Sequence, residues 1–101
     1  MVYSVQQIKF EMLSYMKEFG GDFTDWYVGI ASDPLDTMTA KHGVDTERDI
    51  WLYKQALSFN ACRTLQRYFL ETLQTDGVPV TRGNGDTDCI YLYKKSQGTM
   101  P

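Results

Sequence analysis

Apolar positions recur at helical spacing through residues 4–19, where Val5, Ile8, Met12, Tyr15, Met16 and Phe19 share one side of a 3.6-residue turn. Ser4 and Gln7 have the spacing of a capping box, and Gly20-Gly21 supplies the stop. The pattern predicts one helix whose methionine and aromatic stripe faces a core. The period then changes: Trp26-Tyr27-Val28-Gly29-Ile30 is aromatic and β-branched, the composition of a strand. Asp33 as N-cap with Pro34 in the first turn opens a short helix, which carries Leu35, Met38 and His42 on one face and ends at Gly43. "DIWLYKQA", residues 49–56, reads as a second strand. Ser58 caps a third helix whose inward stripe is Ala61, Leu65, Tyr68, Phe69 and Leu73, closed by "TDG" at 75–77. The turn-rich "VPVTRGNGDTD" leads into "CIYLYKK", residues 89–95, which alternates as a last strand. "SQGTMP", residues 96–101, reads as a flexible tail.

The order is therefore α-β-α-β-α-β, without repeats or a linker long enough to divide it. We expect one domain over residues 1–101, an α+β fold with a small three-stranded mixed sheet and helices packed mainly on one face. A chain of 101 residues buries roughly 65% of its unfolded surface. With 43% hydrophobic residues it can hold one modest core.

Charge and cysteine usage narrow the function classes. The formal charge is −3, so the generic basic excess of a nucleic-acid binder is missing, although Lys54, Arg63, Arg67, Arg82, Lys94 and Lys95 leave room for a local patch. Cys62 and Cys89 have no CxxC pairing, which reads as two reduced core thiols rather than a zinc site or disulfide framework. No apolar run approaches the ~20 residues of a membrane span. The opening MVYSVQQIKF is too polar for a signal peptide, which points to a cytoplasmic protein.

"YVGIASDP…H", followed by a tryptophan-bearing strand, an "A…RYFLE" helix, a glycine-rich loop and "CIYLYKK", resembles a family of small bacterial and phage proteins. More distantly, the 26–95 core resembles the GIY-YIG nuclease domain. That resemblance implies that Tyr27 positions or deprotonates an attacking water and that Gly29 lets substrate approach. It also implies an arginine on the following helix and a metal-binding glutamate on the third. Here the arginine position is Thr37 and the glutamate position is Gln66. A neutral amide is a poor ligand for Mg²⁺. Glu71 could substitute, but five α-helical residues put it about 140° round the helix from Gln66. The first strand of that domain is also missing, and "CIYLY" could take its place in the sheet.

Tyr27, His42 and Glu71 are thus the catalytic candidates, with a divalent metal as cofactor only if the chain is a nuclease. The aromatic residues suggest another use. Trp51 and Tyr53 share one face of their strand, as do Tyr91 and Tyr93 of theirs. An uncovered sheet face would offer these rings, with Tyr27, to bases or to a partner's side chains. The alternative is that both faces are covered and the rings line a small core. "WLYK" and "IYLYK" are also candidate exposed edges for pairing with a second copy. The resulting expectation is a non-catalytic interaction or regulatory domain on a degenerate GIY-YIG-like scaffold, binding another protein through Tyr27, Gly29, Trp51, Tyr53, Tyr91 and Tyr93. Nucleic-acid binding through Arg63 and Arg67 is the alternative, and divergent nuclease chemistry is another.

Overall fold

The structure is a computed structural model that describes residues 1–101. Its order is β1 (Val2–Tyr3), α1 (Val5–Phe19), β2 (Trp26–Ala31), α2 (Pro34–Asp36, running on as a π-turn at Thr37–Lys41), β3 (Trp51–Ala56), α3 (Phe59–Arg67, running on as a π-turn at Tyr68–Thr72) and β4 (Cys89–Lys94). The α+β class is as expected, but the sheet has four strands in the order β1-β3-β4-β2. β1 is the strand the sequence hid. It has two residues, too few to show alternation, and it pairs parallel with Gln55 and Ala56.

Local signals fix the helix starts. The Ser4 side chain accepts from Gln7 N at 3.2 Å while Ser4 N donates to the Gln7 amide oxygen at 2.9 Å, completing the capping box. Asp33 accepts from Asp36 N, and Ser58 from Ala61 N. No helix is long and apolar enough to cross a membrane.

α1 and α3 cover one face of the sheet. Ile8, Met12 and Met16 of α1 and Cys62, Leu65 and Phe69 of α3 pack on Trp26, Val28, Ile30, Ile90 and Leu92. Each of these larger aliphatic side chains contributes roughly 1.5–3 kcal/mol of burial. Of the two alternatives for the opposite face, an open aromatic surface or a covered one, the second holds at one end. Met38 of the π-turn and Val44 beyond it pack on Tyr27, Tyr91 and Tyr93. The sheet is covered on both sides at the β2 end.

β4 lies between β3 and β2, so "IYLYK" is a central strand and not an edge. It pairs antiparallel with β2, placing Tyr93 opposite Tyr27 and Tyr91 opposite Gly29. The outer edge of β2 is closed by residue 76: Val28 N donates to Asp76 O at 2.9 Å and Asp76 N to Trp26 O at 2.8 Å. β3 is the strand with an open stretch. Ile50 O and Ala56 N bond toward β4, so the backbone groups of Trp51, Tyr53 and Gln55 point the other way. Gln55 meets β1 and Trp51 O accepts from the Tyr15 hydroxyl at 2.7 Å, leaving Tyr53 facing out.

Candidate functional site

The residues singled out in the sequence gather in two places, on opposite sides of the sheet. The first is an aromatic cluster under α2. Tyr27 stacks on Tyr93 (5.2 Å between centroids) and on Tyr91 (6.3 Å), and His42 packs tilted against Tyr27 (4.7 Å). Tyr27, Tyr91 and Tyr93 are 7%, 3% and 0% exposed, so these rings line a core rather than an open surface. Trp51 and Tyr53 stack 6.2 Å apart further along the same face, and there Tyr53 is 41% exposed. Gly29 has a packing role. A Cβ at that position would sit 2.3 Å from the Tyr91 ring, so the glycine makes room for Tyr91.

His42 is held on both ring nitrogens. Its Nδ1 lies 2.8 Å from the Met100 carbonyl and 3.0 Å from the Tyr93 hydroxyl, and its Nε2 lies 3.1 Å from the Tyr91 hydroxyl. A carbonyl can only accept, so Nδ1 carries a proton and donates it to the Met100 carbonyl. Residues 96–101, read as a flexible tail, are tied back here, since Met100 N also donates to His42 O at 2.7 Å.

Burial raises the Tyr27 phenol above its ordinary value, with the nearby Asp76 carboxylate adding to the rise. Tyr91 and Tyr93 are raised further, again mainly by burial and then by the Tyr27 ring. All three remain protonated near neutral pH. As a group they are donors and packing surfaces, poorly suited to taking a proton from water.

The second place is a cleft of about 90 Å³ between α3 and residues 79–81. Arg63, Arg67, Glu71 and Gln66 line one side, and Pro79, Val80 and Thr81 the other. Glu71 falls on the π-turn, where an i→i+5 turn rotates less per residue than an α-turn. That brings it to the same cleft as Gln66, closer than the α-helical count placed it.

Gln66 is 3% exposed and fully engaged. Its Nε2 donates to Val28 O at 3.2 Å and to Val78 O at 3.0 Å, while its Oε1 accepts from Val80 N at 3.1 Å. The amide pins residues 78–80 to β2. A carboxylate could make only the last of these bonds, because it has no N–H to donate. Sequence reasoning treated Gln66 as a missing ligand, and the only signal for its clamp role was that it is an amide on the inward side of α3.

Tyr27 and His42 lie on the far face from Glu71, so the three catalytic candidates do not converge on one site. Thr37, at the arginine position, begins the π-turn of α2. No group of three or more His, Cys, Asp and Glu side chains is arranged to hold a metal ion. Cys62 and Cys89 are both free and buried. No family model, curated protein or solved structure matches the chain.

Proposed function

We propose that this chain is a non-catalytic interaction domain, a scaffold resembling the GIY-YIG nuclease domain, that engages another protein at the surface around the α3 cleft. The observation that carries the reading is Gln66. At the position where the resemblance implies a metal-binding glutamate, the side chain is engaged in three backbone hydrogen bonds that only an amide can make together. The Tyr27–His42–Tyr91–Tyr93 cluster supports it as well, since its three tyrosine rings are buried and two of their hydroxyls are engaged by the His42 ring.

The surface near α3 is built differently. Val78 stands 67% exposed beside the cleft, and the adjoining arginines have no carboxylate partner. Exposed apolar area next to uncommitted charge suits a protein interface with an apolar centre and polar rim. Nucleic-acid binding would draw on the same arginines, but the formal charge of −3 and Glu71 in the cleft wall count against it.

A photo-crosslinking residue at Val78, compared with one at Gln7 on the exposed side of α1, tests the proposal in extracts of the source cells. A discrete protein adduct at Val78 and none at Gln7 is expected. Equal labelling at both positions, or adducts to nucleic acid alone, would overturn it.

A further inference from the structure

We infer that the cleft between α3 and residues 79–81 is a carboxylate subsite, taking an acidic side chain or chain end of a partner polypeptide. This rests on the interaction-domain reading and deepens it.

Arg63 and Arg67 are one turn apart and therefore on the same face of α3. Arg63 is half-buried, its guanidinium 5.9 Å from the centroid of the Phe59 ring. Gly83 packs on that same ring so closely that a Cβ there would come within 2.8 Å. Phe59 thus holds the loop and Arg63 together, and Gln66 holds residues 78–80. The walls of the cleft are fixed from two sides.

Neither arginine of the cleft is neutralised by a carboxylate of the chain. The protein's salt bridges join Arg48 to Asp45, Lys54 to Glu11 and Lys95 to Asp76, and none uses Arg63 or Arg67. Glu71 follows Arg67 by four residues yet makes no ion pair with it. Two planar guanidinium forks on one helix face match the two oxygens of a carboxylate. Leu70, Pro79 and Val80 offer apolar wall for the methylene stem that leads to such a group.

The short extent of the cationic wall selects among anions. About 90 Å³ accommodates a single carboxylate with a short stem. A nucleic-acid backbone needs a track of cations along successive phosphates. Here the Glu71 carboxylate interrupts the track.

The test is a titration of the isotope-labelled full chain, read at the arginine side-chain Nε–Hε signals. The probes are an acetylated tri-glutamate peptide, its tri-glutamine counterpart and a short single-stranded DNA. Saturable shifts at Arg63 and Arg67 with the glutamate peptide alone are expected. Arg67 is exposed, so Arg67→Ala keeps the fold and weakens binding by roughly tenfold or more. Arg67→Lys retains the charge but not the fork, and should lose part of the affinity. Equal response to both peptides, or none, overturns the subsite. So does DNA moving the same signals at lower concentration with a steep salt dependence. A protein adduct at Val78 without a peptide response would remove the subsite and leave the interaction reading standing. Metal-dependent cleavage lost in Tyr27→Phe would remove that reading whatever the arginines do.

Discussion

Gln66→Glu is nearly isosteric, so its effect isolates the chemistry of the clamp. The variant keeps the bond from Val80 N but loses both donations, to Val28 O and Val78 O. An ionised carboxylate would instead face those two carbonyl oxygens at 3.2 and 3.0 Å in a site 3% exposed. Each buried carbonyl left unpartnered costs about 1–3 kcal/mol. Taking the middle of that range for the more buried Val28 O and the low end for Val78 O gives a loss of about 3 kcal/mol. For a domain this size that lowers Tm by roughly 10–20 °C.

The penalty should also depend on pH. Burial against two carbonyl oxygens raises the pKa of the introduced carboxyl, so the folded state binds its proton more tightly than the unfolded state. Stability lost at pH 7 is therefore partly recovered as pH falls through that raised value, when the acid can donate one hydrogen bond. The assay is urea unfolding of both proteins at pH 7 and near pH 4. An unchanged midpoint at pH 7, or a deficit that does not shrink at low pH, would refute the clamp. A variant that Mg²⁺ stabilises would point to a metal site in its place.

Gly29→Ala drives a methyl group into the Tyr91 ring, and should cost about 1–3 kcal/mol in thermal unfolding; an unchanged Tm would contradict the packing role. Tyr91→Ala should cost about 3–5 kcal/mol and Tyr53→Ala under about 1 kcal/mol, because the first ring is buried and the second is not; similar losses would mean the face is not covered as described. Alkaline stability should fall between about pH 9 and pH 12. Burial pushes the Cys62 thiol up to about 12 and raises Tyr91 and Tyr93, so above pH 9 the unfolded chain loses protons that the folded chain retains. Cys62→Ala should flatten the pH 9–11 part of that decline, and a slope identical to the parent's would show that the thiol does not contribute.

Much of the fold was legible because its signals are local. Ser4, Asp33 and Ser58 cap the helices the sequence placed there, and strand composition, with alternation in β4, found β2, β3 and β4 within a few residues. What escaped depends on contacts between distant segments. β1 is defined only by its pairing with β3, and the central place of β4 only by strand order. That order, with Met38 and Val44 closing over the tyrosines, turned an aromatic stripe into a second core. The π-turn that brings Glu71 to the cleft leaves no pattern in side-chain polarity, because it adds one residue to a turn without changing residue type. His42 was legible as a residue on an apolar helix face, but its partners Tyr91, Tyr93 and Met100 lie about fifty residues away.

The central claim is that this scaffold binds without cutting. It meets its most direct test in a cleavage assay on single- and double-stranded DNA and RNA with Mg²⁺ or Mn²⁺, comparing the protein with Tyr27→Phe. The account predicts that the two give the same background. Metal-dependent cleavage that Tyr27→Phe abolishes would contradict it.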